Sequence, residues 1–372
     1  MPCLHAATNS GILIAMKPLA HNSYQAPILM IADLHLDPGR PEAIAAFLKF
    51  ALGGALRAAS LPADLVFATS TPLTIAIPGV WAKIRKKAPL VFEVRDLWPE
   101  LPIAVGALRN PLAKAAARWL ERFAYKNADH IVALSPGMKA GITRSTATTC
   151  GVTVIPNSAD LDLFDPEYAD RYWFREDRPE IGDGPLVVYT GTMGRINGVG
   201  YLARIAAHAR DRDFSINFVV VGQGMESEQV RKQAADLGVL GHNFYIFPAV
   251  PKKEMSDVLA AADLALSLFV DLKPMWSNSA NKFFDALASG TPVAINYGGW
   301  QAELLAETGA GLVIPPDDPA EAAARIDAFL ADLTVVRRAG RSARKLAEER
   351  FSRDKLAVEL ENVLLRAVES AR

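Results

Sequence analysis

Cysteine is nearly absent from this chain: of 372 residues only Cys3 and Cys150 are cysteines, and neither has a metal-ligand spacing around it. This argues against a disulfide framework and a zinc site, and makes a reducing cytoplasm the expected setting. Long apolar runs are missing too. No stretch of about 18 uninterrupted apolar residues occurs, so no membrane span is expected. The one dense apolar patch near the start, Ile12 to Ala15, lacks the basic lead of a signal peptide, and secretion is not supported. Net charge is only -1 at pH 7, which gives no global attraction to nucleic acid and requires any anion site to be local. The dinucleotide fingerprint Gly-x-Gly-x-x-Gly is not found, which takes weight from hydride transfer. The six histidines fall in no catalytic motif.

What is present suits a well-buried α/β protein, with 51% hydrophobic and 22% charged residues, and the length suggests two domains. From Asp64 onward strand and helix patterns alternate. Leu65 to Ala68, Leu90 to Val94, His130 to Leu134 and Val152 to Ile155 read as buried strands, with helices at Leu73 to Lys86 and Leu112 to Lys126. After an Asp-, Arg- and Pro-rich segment, Asp160 to Glu180, the rhythm resumes. Strands are expected at Leu186 to Thr190, Asn217 to Val221, Phe244 to Phe247, Leu264 to Leu268, Val293 to Ile295 and Gly311 to Ile314, with helices at Gly198 to Arg210, Glu226 to Leu237 and Lys252 to Ala261. Three helical patterns, Pro319 to Leu333, Val335 to Glu349 and Asp354 to Ala371, close the chain. Short apolar strands separated by helices imply parallel sheets covered on both faces. Two doubly wound, Rossmann-like domains facing a central cleft are the expectation, the first over 1–165 and the second over 166–350. The start is atypical: residues 1–60 offer weak strands near Ile12 and Ile28 and a helix from Pro41 to Ala58, so the first strand-helix unit reads as missing or divergent.

Candidate chemistry gathers in a few segments. Asn278 to Val293 reads as a polar lead, one compact helix from about Asn281 to Ser289, a Gly290 stop and a strand. Helical spacing puts Lys282, Asp285 and Ser289 on one face, with Phe283, Phe284, Leu287 and Ala288 packing inward. Lys282 and Asp285 are thus expected to project together, a cation for an anionic group and a carboxylate for ribose hydroxyls; an ordinary surface Lys/Asp pair fits the same pattern. Gly191-Thr-Met-Gly-Arg-Ile-Asn-Gly198 follows a strand and opens a helix. Its glycines would let backbone approach a diphosphate, with Thr192, Gly194 and Arg195 as further contacts, although a strand-to-helix turn also selects glycine. Gly222 and Gly224 end another strand, where they would let backbone approach a ligand or simply form a tight turn, and the main-chain groups of Ala249 and Val250 are candidates for a base edge that their residue types do not mark. In the first half, Phe92-Glu-Val-Arg-Asp-Leu-Trp-Pro-Glu100 puts four charges at the end of a buried strand; Arg95 and Asp96 are candidates for sugar or phosphate contacts, against a salt-bridged strand end. Trp81, Lys83, Arg85, Lys86, Lys87, Arg109, Lys114, Arg118, Trp119 and Arg122 make the first half basic and aromatic, a surface able to rest on anionic lipid or simply a solvated helix face.

Together, Phe92 to Glu100, Ser135-Pro-Gly137, Ile155-Pro-Asn157 with Asp160 and Phe164, Gly191 to Gly198, Val221 to Gly224, Asn281 to Val293 and Pro315-Pro-Asp-Asp-Pro319 resemble the retaining glycosyltransferases of family 4, with the GT-B fold, and especially the bacterial polysaccharide branch called WbuB-like. The resemblance runs from about Asp64 to the C-terminus. It implies a nucleoside diphosphate sugar, UDP linked to a hexose or N-acetylhexosamine, held by the second domain, with Asp285 on the ribose and Lys282 on the phosphates. The family's first acidic residue falls on Ser277, Thr192 and Asn197 stand where many relatives carry Arg and Lys, and the first-domain His of many relatives falls on Arg95. That leaves Arg195 and Lys282 to stabilise the leaving diphosphate without a metal or other cofactor. It also implies a final helix, 351–372, crossing back to the first domain, and an acceptor that is lipid-linked or a saccharide. A sugar-nucleotide epimerase of similar architecture and a shortened nucleotide-binding relative are the competing readings.

Overall fold

A computed structural model describes residues 12–19, 23–25, 28–30, 51–58, 60–70, 72–146 and 150–371. The chain divides into two compact units, Met1–Pro156 with Ala357–Arg372, and Asn157–Leu356. Each is an α/β unit with its own sheet.

The described elements of the first unit are β1 (Ile12–Leu19), β2 (Ser23–Gln25), β3 (Ile28–Met30), α1 (residues 51–58), β4 (Leu65–Thr69), α2 (Ala76–Lys86), β5 (Leu90–Val94), α3 (Glu100–Ala104), α4 (Pro111–Asn127), β6 (His130–Ala133), α5 (Pro136–Ser145) and β7 (Gly151–Val154). Their sheet runs β2-β1-β4-β5-β6-β7, with β3 also paired to β1. From β4 to β7 the pairing is parallel, in a register that places Phe67 beside Val91 and Phe92 beside Ile131. The core between sheet and helices is built from Val66, Phe92, Ile131, Tyr125 and Ile142. At the other edge β1 runs antiparallel to β4, Leu13 opposite Ala68. This departs from the all-parallel expectation: a parallel neighbour needs a crossover helix, whereas β1 joins its partners as an antiparallel ribbon. The expected helix from Pro41 to Ala58 is helical over 51–58, and its first part lies outside the described residues.

In the second unit the order is α6 (Trp173–Glu176), β8 (Leu186–Thr190), α7 (Gly200–Asp211), β9 (Asn217–Val221), α8 (Ser227–Asp236), β10 (Phe244–Phe247), α9 (Lys252–Ala261), β11 (Leu264–Ser267), α10 (Asn281–Ala288), β12 (Val293–Ile295), α11 (Trp300–Thr308), β13 (Gly311–Val313), α12 (Pro319–Leu330) and α13 (Leu333–Leu346); α14 (Arg353–Ser370) ends the chain. All pairs in its sheet, β10-β9-β8-β11-β12-β13, are parallel. Strand alternation sorts the apolar residues onto two faces. Val187, Tyr189, Phe218 and Val220 pack under α7 and α12, while Leu186, Val188, Val219 and Val221 pack under α6 and α9. The order reverses direction at β8 and β11, so the loops after these strands leave the sheet side by side at its carboxyl edge.

Local signals explain the helix starts. Asn110, Ser135, Asp318 and Asp332 each accept backbone N–H bonds at an N-terminus, the first three with a proline next in sequence. Four helices, α3, α5, α6 and α11, are not foreseen from periodicity: α3 and α6 have five and four residues, Gly137 and Gly141 dilute α5, and Gly298-Gly299 lead into α11.

Candidate functional site

The carboxyl edge of the second sheet collects most of the candidate residues, and α10 organises it. Its apolar side, Phe283, Phe284, Ala286, Leu287 and Ala288, is fully buried, as the spacing requires. Its entry is fixed by Asn278, whose Oδ1 accepts from the Ala280 amide (3.1 Å) and whose Nδ2 donates to the Met275 carbonyl (2.7 Å). Asn157 donates from its amide to Ser279 Oγ (3.0 Å) and from its side chain to the Ser279 carbonyl. At the other end Arg344 donates to the carbonyls of Ala288 (2.7 Å) and Phe164 (3.2 Å). The helix is therefore held at both ends by residues far away in sequence.

Lys282 turns from α10 toward the loop after β8. Its Nζ donates to Tyr189 Oη at 2.6 Å and lies 4.2 Å from the Tyr189 ring centre and 5.6 Å from that of Phe269. A Cβ built on Gly191 would meet the Lys282 Nζ at 3.7 Å, so the ammonium lies beside the glycine turn with room for about one methyl group between them. Burial among aromatic rings lowers the Lys282 pKa from 10.5 to about 7. Among the described residues no carboxylate pairs with it, and its only hydrogen-bond partner is Tyr189. Asp285 goes another way. Its Oδ1 lies 3.9 Å from Lys252 Nζ, and burial, opposed by Lys252 and reinforced by Asp160, raises its pKa to about 6. The two charges share a helix without forming an ion pair; side chains three positions apart here diverge to different neighbours. Asn281 is exposed at the first helical position, and Ser277, where an acid was the family expectation, is half-buried just before it.

The glycines of the two loops have a different role from the one their spacing suggested. A Cβ at Gly222 would overlap the Gly191 carbonyl, and one at Gly224 would overlap the Met193 carbonyl. Backbone packs directly on backbone, with Gly191 N–H donating to Val221 O (3.0 Å), Met193 N–H to Gln223 O (3.1 Å) and Gly222 N–H to Phe247 O (3.1 Å). Gly194 N–H reaches Asn197 Oδ1 (3.3 Å) and Gly224 N–H reaches Ser227 Oγ (2.8 Å). Four glycine amides are thus committed internally and are not donors to a diphosphate. Asn197 is buried and closes the loop on itself. What the loop presents outward is the Thr192 amide and the exposed Arg195 side chain, neither with a hydrogen-bond partner among the described residues. Gly191 itself has φ +127°, a conformation side chains resist. Beyond β10, Ala249 is exposed and Val250 half-buried, with main-chain groups unpaired among the described residues.

Arg95 and Asp96 lie in the first unit, after β5. The Arg95 amide donates to Ser70 Oγ (2.9 Å) and its guanidinium sits 3.7 Å from Glu93, so part of the charge in this segment is internally paired. A feature that sequence reasoning missed lies beneath it: Glu121 is buried on α4 beside Tyr125 and Ser145, and burial, with Glu100 nearby, raises its pKa to about 7. An acid on an amphipathic helix carries no sequence mark that separates it from a solvated one. Tyr189 was missed for a similar reason, being one more aromatic in an apolar strand. Among the described residues no three His, Cys, Asp or Glu side chains converge as metal ligands.

Comparison with known proteins bears on the same regions. The family described as "Glycosyl transferase 4-like domain" matches residues 26–158, and "Glycosyl transferases group 1" matches residues 184–332. The chain carries the paired domains of a GT-B glycosyltransferase. Among curated relatives, a 2-deoxystreptamine glucosyltransferase of Streptomyces kanamyceticus is 25% identical over 68% of this chain and 62% of its own length, and a probable glycosyltransferase WbjE of Pseudomonas aeruginosa 24% over 64% and 58%. The chain thus spans about three fifths of the length of these relatives. The sucrose-phosphate synthase of Thermosynechococcus elongatus has the same fold with a TM-score of 0.73 at 18% identity, covering 90% of this chain and 80% of that one. HepE of Anabaena in complex with UDP-glucose gives 0.66 at 17%, covering 87% and 84%.

Proposed function

We propose that this chain is a retaining glycosyltransferase that moves a hexose or N-acetylhexosamine from a UDP-linked donor to a lipid-linked or saccharide acceptor in cell-surface polysaccharide assembly, in the WbuB-like branch. The observation that carries the reading is the buried Lys282 ammonium beside the Gly191 turn, bonded at 2.6 Å to the Tyr189 hydroxyl that also bonds the Thr192 carbonyl. A desolvated lysine with two N–H groups unpaired among the described residues invites an anion, and a departing diphosphate develops the charge it would offset. Arg195 and the Thr192 amide complete the donor set. Asp285 is ionised at neutral pH and accepts ribose hydroxyl protons, while the main chain of Ala249 and Val250 meets the base edge. The acceptor oxygen bonds to the anomeric carbon on the face from which the diphosphate leaves. The carbon–phosphate-oxygen bond breaks with its electron pair going to the diphosphate, which takes the hydroxyl proton. Arg95 and Asp96 serve the transferred sugar or the acceptor. The HepE likeness favours uridine as the base.

Membrane contact belongs to the same proposal. On the first unit, neighbouring helices α2 and α4 expose Trp81, Ile84, Leu112 and Trp119, the last at 63% exposure, among their lysines and arginines. Indole and leucine insertion beside basic residues fits an anionic lipid surface. No described helix is long and apolar enough to cross a membrane.

The test is a panel of UDP-glucose, UDP-N-acetylglucosamine and GDP-mannose with and without lipid-linked and saccharide acceptors, reading released nucleoside diphosphate. Release that requires acceptor is the expected outcome. Interconversion of donor epimers without acceptor, or donor binding with neither reaction, would overturn it.

A further inference from the structure

The surroundings of Lys282 have a component that the glycine and helix motifs of the second unit do not mark. Tyr189 is the penultimate residue of β8, fully buried, and fixed in register between Val220 and Leu266 on the neighbouring strands. Its hydroxyl has one proton, donated to the Thr192 carbonyl at 2.8 Å. Toward Lys282 it therefore presents only lone pairs, and the ammonium donates to them at 2.6 Å. One oxygen thus joins two structures, the turn at Gly191-Thr192 and the first turn of α10. Among the described residues the surroundings supply no substitute. Phe269, braced edge-on against Tyr297 at 5.3 Å, walls the lysine on another side and accepts no hydrogen bond. Asp285 faces Lys252 instead.

We propose that Tyr189 is the positioning residue of the donor site: its hydroxyl holds the Lys282 ammonium at the Gly191 turn and pins the Thr192 carbonyl, so that cation and loop are set before a nucleoside diphosphate arrives. This rests on the reading of Lys282 as a diphosphate contact. A rigid strand carries the post, so the ligand meets an arranged site rather than ordering a flexible lysine. Because the hydroxyl accepts from the charged form of Lys282, it also favours that form against the desolvation that opposes it.

The experiment is a double-mutant cycle on the full chain with Tyr189→Phe, Lys282→Met and both together, titrating UDP by calorimetry from pH 6 to 9. Tyr189→Phe removes one oxygen and leaves packing volume unchanged; Lys282→Met keeps the stem. Tyr189→Phe is expected to weaken UDP about tenfold, the scale of one hydrogen bond to a charged group. It should also move the loss of affinity with rising pH to lower pH, since the ammonium loses its acceptor. In the Lys282→Met background the same change should cost less than about twofold, because Tyr189 acts through the lysine. Additive losses in the double variant, or an unchanged pH profile in Tyr189→Phe, would overturn the positioning role while leaving the donor site standing. Undiminished UDP affinity in Lys282→Met would instead remove the donor-site reading itself.

Discussion

The two units solve the same architectural problem with different materials. The second has a wholly parallel six-stranded sheet, glycine turns packed backbone on backbone, and a buried lysine at its carboxyl edge. The first has an antiparallel edge, an exposed aromatic and basic face on α2 and α4, and a buried acid, Glu121. Its charged strand-end residues partly satisfy one another, as Arg95 does with Glu93. On the proposed function, the unit that holds an anionic donor needs fixed loops and a cation without a carboxylate partner, and the unit that receives the acceptor can keep its charges paired and its surface open. The contrast teaches that each interior holds one desolvated ionisable group, Glu121 in the first unit and Lys282 in the second, and that of the two the lysine is the one set beside a glycine turn at a sheet's carboxyl edge.

The largest expected break comes from Gly222→Val. Side-chain atoms there collide with the Gly191 carbonyl, so stability should fall by about 3 kcal/mol or more, with UDP binding lost in parallel; the equivalent Ala at exposed Gly182, which has open space around it but φ +69°, should cost less than the backbone collision. Thermal unfolding and calorimetry on both variants check the pair. Next in size is a division of labour. Asp285→Asn should weaken UDP roughly tenfold, as for loss of a charge-assisted hydrogen bond, whereas Arg95→Ala and Asp96→Asn should lower turnover with UDP affinity unchanged. Equal losses of UDP affinity from both units would erase the distinction.

Legibility from sequence divides along the same line. Strands β5, β8, β9, β10 and β12 are visible end to end because uninterrupted apolar runs between turn residues have few alternatives. The position of α10 and its buried side follow from spacing alone. The glycine loops are visible as glycine loops, but their purpose is not: whether an amide faces a ligand or a neighbouring strand depends on which loop lies beside it. Tyr189 is hidden by the apolar company of β8. Arg344, which reaches the Phe164 carbonyl across 180 residues, and Asn157, which reaches Ser279 across 122, are bonds no local pattern can reveal. The pairing of β1 with β4 is hidden for the same reason.

A smaller effect separates the units by pH. The Lys282 pKa lies near 7 against 10.5 when unfolded, so unfolding takes up a proton between these values and its contribution to stability rises with pH across that window. The Glu121 pKa lies near 7 against 4.5, so unfolding releases a proton and its contribution falls as pH rises from 4.5 to 7. Lys282→Met should flatten the alkaline rise and Glu121→Gln the acid-side fall, as read by urea midpoints across pH 4.5 to 10. Slopes left unchanged by both substitutions would show that neither group is desolvated. The smallest change expected is in membrane binding: Trp119→Ser should lower sedimentation with anionic liposomes severalfold at low salt, without altering UDP affinity.

One comparison reaches the central claim directly: calorimetric titration of UDP into the parent chain and into Lys282→Ala at pH 6.5, where the lysine is charged in the folded protein. The account predicts a loss of affinity of roughly a hundredfold, the scale of removing a buried charged partner. Equal affinities would mean that the lysine beside Gly191 does not hold the diphosphate.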